Sequence, residues 1–476
     1  MQDGPDLDLW QFRLSDRGIG RAVAGLSLEV GPGLPLTELR DRDGRNVGVL
    51  LGHPIDLLGR RCVTQEWQVP ISSDDPDGFV SMLFQRLAGR FLLILDLPGA
   101  RRLYPDAAAQ IPCVYETGKK LAGSTAHALL AEAQYEARFD KALYSRLGIE
   151  GSGWFPAGLT AHRGLNRLLP NHMLDLDTWA VSRHWLPDDT STRANAAILV
   201  LIEVVQSQMA ALESAERRIA QALTAGRETR MLLGMAGEGR EDRLYVTIKG
   251  SDQYSVDGAM AAQIASEQRL NHRVLPRVRA GAQARAAYLR RAGHCVADAN
   301  SWYFPSVEPI AKTHVFVGGA GGEIGRGFFW KPGDGADTPL DAERLIARFG
   351  LPPVPELLTR VEAWLVGLAG RPTTEILDLA YLEQRVGPWG SAQFCADPTL
   401  LRLAPLLNRR AIDAMLALPE EWKKSEGMAR AVLAATWPEI EAYPYNTMGP
   451  IRDLWVRCQR VIREPGLVLR KIRRAS

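Results

Sequence analysis

Most of the patterns that announce a function class are missing from this chain. Its cysteines, Cys62, Cys113, Cys295, Cys395 and Cys458, are scattered, odd in number and without a CxxC pair. That excludes a disulfide framework and a thiolate zinc site, and it points to a reducing cytoplasm. The start, MQDGPDLDLW, is acidic and lacks a basic segment followed by an apolar run, so no signal peptide is expected. No apolar stretch approaches the ~18 uninterrupted residues of a membrane span, so no transmembrane segment is expected either. Formal net charge is only +2, too small for a global field that attracts nucleic acid. The histidines, among them His53, His162, His172, His272 and His314, show no HExxH or other metal-ligand spacing, and packing or surface roles account for them. Solenoid repeats and low-complexity blocks are absent as well.

What is present is the composition of an ordinary globular protein, 46% hydrophobic and 24% charged. At 476 residues the chain exceeds what one core usually serves, so two domains are expected. From Leu9 to Trp185 short apolar runs such as VGVLLG and RFLLILDL alternate with Gly, Pro and Asp, the pattern of a sheet-rich unit. The polar stretch LPDDTSTRAN, Leu186 to Asn195, then precedes a long helical segment, AAILVLIEVV. The boundary belongs there, with residues 1–187 as one unit and 196–476 as the other. In the second unit strand-like and helix-like segments alternate, which predicts a parallel sheet with crossover helices. From Asp341 onward the periodicity is mostly helical.

Two strand-to-loop junctions carry the possible chemistry. In ALTAGRETRMLLGMA a strand ends at Thr224, the small turn Ala225-Gly226 follows, and a helix begins near Glu228. Such a junction can turn backbone N–H groups and a helix N-terminus toward a phosphate. The hydroxyls of Thr224 and Thr229 and the Glu228 carboxylate suit a magnesium-bound pyrophosphate. An ordinary turn with an acidic first helical turn has the same pattern. In THVFVGGAGGEIGRGFFW a strand runs into a glycine-rich loop with one acid, Glu323, and one guanidinium, Arg326. So many glycines suggest close backbone approach to a ligand. Glu228 and Glu323, each following a parallel strand, are the expected pair of metal ligands.

These segments resemble a known family. Thr224-Ala225-Gly226-Arg227-Glu228-Thr229 is similar to the SGGxDS loop of asparagine synthetases and their ATP-pyrophosphatase relatives. Asp257, Ala261, Ile264, Ala265, Leu270 and His272 resemble that family's DxxxAxxIAxxLGLxH helix, and Gly319 to Ile324 its later glycine and aspartate loop. In the first unit, LAGRFLLILDLPGARRLYPDAAAQIPCVYETGKKLAGSTAHALL and HRGLNRLLPNHMLDLDTWAVSRHW resemble class II glutaminase segments. The resemblance implies an α/β protein: an N-terminal α+β sandwich of the Ntn-hydrolase type, then a parallel-sheet ATP-pyrophosphatase domain with a helical C-terminal part. It also implies ATP and Mg2+ as cofactors. ATP and pyrophosphate would be held by Thr224 to Thr229 with Gly319, Gly321 and Gly322, and the metal by Glu228 and Glu323.

Three departures shape the functional expectation. Position 2 is Gln2 where the family's glutaminase has its nucleophilic cysteine, so glutamine hydrolysis is not expected. β-Lactam synthetases and lasso-peptide cyclases show the same loss, taking the amine from the substrate itself. Both metal-binding aspartates are replaced by glutamate. The family's RPKxGF ending, with a catalytic lysine, reads Tyr443-Pro444-Tyr445-Asn446, leaving Lys423 or Lys424 as candidate substitutes and Arg326 as a further catalytic candidate. The leading expectation is an ATP-dependent ligase that activates a small-molecule or peptide carboxylate as an acyl-adenylate for amide formation. The alternative is a catalytically degenerate nucleotide-binding or scaffolding paralogue, as a homodimer or a partner in a biosynthetic complex. Trp302 and Tyr303 are candidates for a substrate pocket. The basic tail after Arg457 is either a solvated final helix or a surface for an anionic partner.

Overall fold

The computed structural model describes residues 5–187, 194–237, 239–249 and 256–447. The basic tail and the middle of the Leu186 to Asn195 connector lie outside the described residues.

The first half is built on two stacked sheets, antiparallel except where Leu36–Arg40 pairs with Glu66–Gln68. Alternation along the central strand Leu87–Leu97 explains the layering. Leu92 and Ile94 join Phe12 and Leu14 of the facing sheet in one core, whereas Leu93 and Leu95 pack on Phe79, Leu83 and Phe84 of the helix Pro76–Arg86. Each sheet therefore has a helical layer outside it, with Leu129 and Tyr135 covering Val114 on the other side.

The second half is organised by a five-stranded sheet, Ile219–Ala222, Leu244–Ile248, His272–Leu275, Val315–Val317 and Arg402–Leu403. Every pairing is parallel, as the strand-helix alternation predicts. Counted along the chain the strands lie in the order 3-2-1-4-5. The order reverses between the first and fourth strands, so the loops that follow them, at Thr224 and at Gly318, emerge side by side at the sheet's C-terminal edge.

Helices from Ala342 to Thr436 complete this half. The helix Ala194–Ser214 is long and apolar enough to cross a membrane by length and composition. Its Ile198, Leu201, Val204 and Val205 are instead buried in the largest core cluster. That cluster joins both halves, and polar contacts reinforce the seam: the Trp154 indole donates to the Gln384 carbonyl (2.6 Å) and the Gln110 amide to the Leu407 carbonyl (3.0 Å).

Candidate active site at the switch of strand order

The Thr224 loop is held from several sides. Thr224 N–H donates to the Thr229 hydroxyl (3.2 Å), Gly226 N–H to the Thr224 hydroxyl (3.0 Å), and Ala225 N–H to the Asp257 carboxylate (3.0 Å). Three N–H donors that could face a phosphate are thus occupied within the protein. Glu228 heads the helix Arg227–Met235, where the macrodipole favours a carboxylate.

The second loop packs directly on this helix start. A Cβ at Gly319 would lie 2.8 Å from the Glu228 carbonyl carbon, and one at Gly322 would lie 2.8 Å from Glu228 Cγ. These glycines therefore make room for Glu228 itself. Gly321, at φ 98°, takes the left-handed turn into the short helix Gly322–Arg326.

Glu228 and Glu323 converge here. Arg326 donates to Glu228 (2.8 Å), and Glu323 accepts from Gly321 N–H (3.2 Å) and from the Tyr381 hydroxyl. Burial pushes the Glu323 carboxyl above its usual range, and the neighbouring Glu228 charge raises it further. Burial likewise raises the Tyr381 phenol, with Glu323 adding to the effect. Arg385, beside them, stacks on Trp154 with its guanidinium carbon 4.1 Å from the ring centroid. Tyr381 and Arg385 belong to a π-helical stretch, Tyr381–Val386, an irregularity frequent at functional sites. Hydrophobic periodicity could not single them out.

The Tyr443 to Asn446 segment sits on the Thr224 loop. Buried Arg230 donates to the carbonyls of Tyr443 (2.7 Å), Pro444 (2.5 Å) and Ala225 (2.9 Å), and Asn446 N–H donates to the Ala225 carbonyl (3.0 Å). The Tyr445 ring faces both Arg227 and Arg230, and Arg227 also pairs with Glu426. A tyrosine between two guanidinia thus stands where the resemblance looks for lysine. Arg230 is one residue that sequence reasoning missed, because a guanidinium that bonds three carbonyls leaves no local pattern.

The candidate substitutes lie elsewhere. The Lys423 ammonium is buried, donating to Asp378 (2.6 Å) and to the Leu416 carbonyl (2.9 Å), and Lys424 pairs with Glu420 on the surface (3.0 Å). Neither donates to Glu228 or Glu323. Trp302 and Tyr303 are also engaged: Arg279 and Arg285 lie over Trp302, and Arg277 over Tyr303 at 3.6 Å.

The remaining residues of the resemblance have structural work. Asp257 anchors the loop, Ala261, Ile264, Ala265 and Leu270 pack with Leu223 and Ala225, and His272 bonds the Thr247 hydroxyl (2.9 Å). Among the described residues no group of three or more His, Cys, Asp or Glu side chains gathers as a metal cage. Two carboxylates suffice for magnesium, which keeps most of its shell as water and phosphate oxygens. Glu228 and Glu323 are oxygen donors of the type that ion takes, and a cation beside them would relieve the charge that raises Glu323. The N–H groups of Thr224, Ala225 and Gly226 are taken, and the two threonine hydroxyls bond each other (2.9 Å), whereas no side chain caps the helix that starts at Arg227.

Compared with known proteins, the chain matches no family model, and no curated protein matches it significantly.

Proposed function

We propose that the chain is an asparagine synthetase-like protein, with an Ntn-type sandwich lacking its nucleophile and an ATP-pyrophosphatase-type half that activates a carboxylate for amide formation. The reading is carried by the meeting of Glu228 and Glu323 at the reversal of strand order in a parallel sheet. In it, Glu228 and Glu323 hold magnesium, which when bound neutralises phosphate charge. Arg326 binds the nucleotide phosphates, and Tyr381 keeps Glu323 in place. The amine then comes from the second substrate.

A specific set of contacts favours the second reading, a nucleotide-binding or scaffolding paralogue without turnover. Arg326 already neutralises Glu228, Lys423 is committed to Asp378, and Tyr445 replaces the lysine. Pyrophosphate release from Mg-ATP across candidate acids and amines, alongside ATP calorimetry, separates the two. Release that Glu228→Ala lowers on the order of 10²-fold or more supports the ligase. ATP binding without release assigns the chain to the paralogue. Neither binding nor release rejects the nucleotide site altogether.

A further inference from the structure

A second concave site lies away from the carboxylate pair, between the helix Pro76–Arg86, the sheet beneath it and the helix Arg409–Leu416 of the other half. The cavity is about 330 Å³, within the range that holds a small organic ligand. Phe84, Tyr104 and Trp185 supply its aromatic walls, and Arg102, His184 and Arg409 its polar groups.

The charges around it are unevenly matched. Arg102 pairs with Asp77 at the mouth (2.5 Å), and Arg183 pairs with Glu383. Glu383 also accepts from Asn171 (2.8 Å) and from the Trp364 indole (2.7 Å). Arg409, buried and stacked on Trp185 at 3.5 Å, donates to the Asn171 amide oxygen (2.6 Å) and pairs loosely with the Asp413 carboxylate at 3.7 Å. Asp413 is in turn bonded by Gln85 (2.7 Å). Three buried nitrogens of the lining, Arg102 Nε, His184 Nε2 and Arg409 Nη1, have no hydrogen-bond partner. Burial still outweighs these partners for the Arg409 guanidinium, and an anion accepting from the unsatisfied nitrogens would offset that cost.

We propose that this interdomain cavity binds a small carboxylic acid with an aromatic body, its carboxylate on Arg409 and His184 and its ring between Phe84, Tyr104 and Trp185. The aromatic walls favour a ring over inorganic phosphate, and a carboxylate matches the planar guanidinium fork. The inference does not depend on the nucleotide site and stands or falls separately.

Calorimetric titration of the full chain with phenylacetate, phenylacetamide and inorganic phosphate tests it. Phenylacetate should bind saturably, with the neutral amide weaker by about tenfold or more through loss of the charge-assisted contact, and phosphate weaker by a similar factor through loss of the buried ring. Arg409→Gln should weaken phenylacetate similarly. Because that buried change risks the fold, Ser81→Trp provides the second variant: Ser81 is an exposed residue lining the cavity, and an indole there should abolish binding while leaving Tm unchanged. The proposal is overturned by absence of saturable phenylacetate binding, by equal affinity for acid and amide, by phosphate binding as tightly, or by unaltered affinity in folded Ser81→Trp.

Discussion

Two ionic clusters in the second half, each joining carboxylates to a cation, behave differently. Behind the Gly322–Arg326 turn, Lys423 and Asp378 form a balanced pair whose side chains are 5% and 2% exposed. At the sheet edge, Glu228 and Glu323 share one close guanidinium, Arg326, and all the groups are partly reachable by solvent. The first cluster closes on itself and stiffens the helices around it. The second carries surplus negative charge at a place where loops converge. Charge balance, more than the presence of charge, separates a structural pair from a candidate site.

The largest expected effect lies on the balanced side. Lys423→Met should destabilise the fold by about 3–5 kcal/mol, because Asp378 is left buried without its cation. Denaturant unfolding measures it, and adding Asp378→Asn should recover part of the loss. A Lys423→Met cost under about 1 kcal/mol would mean that the pair is wetter than its burial indicates, and the contrast would fail. Next in size is Arg326→Ala, expected to cost about 1–2 kcal/mol through the lost partly buried pair. Its diagnostic is magnesium: without the guanidinium the two carboxylates should bind the ion more tightly, so added Mg2+ should raise Tm more in the variant than in wild type. An equal response would detach the carboxylates from any metal role.

The parallel sheet was legible because its strands alternate with helices at the expected spacing, and the two loops were legible because small residues and glycines interrupt apolar strands. Their meeting follows from strand order, which the sequence does not state. The glycines announce a close approach without saying to what: at Gly319 and Gly322 the neighbour is Glu228, which the sequence spacing does not reveal. Lys423 is a catalytic candidate by position alone, and its pairing with Asp378 was not readable from the sequence. Arg230, Tyr381 and Arg385 were invisible because Tyr443, Glu323 and Trp154, which they reach, lie far away along the chain, and two of the three sit in an irregular helical turn. The interdomain cavity was beyond reach for the same reason, since Arg409 and His184 come from different halves.

The smallest predicted effect tests the unbalanced cluster most directly. Burial and Glu228 raise the folded pKa of Glu323 above its unfolded value, so ionising this group opposes folding. The stability associated with its protonated form is fully present below the unfolded pKa and is lost as pH rises through the folded pKa. At neutral pH Glu323 is therefore a net liability, and Glu323→Gln, which keeps the shape and removes the charge, should raise Tm by roughly 1–2 °C. That gain should shrink on acidification toward the ordinary carboxylate range, where wild-type Glu323 is itself neutral. Thermal melts of both proteins from pH 7.5 to pH 4 read the difference. A variant less stable than wild type at neutral pH would show that Glu323 is already compensated, by Arg326 or Arg385, and that no cation is needed to relieve it.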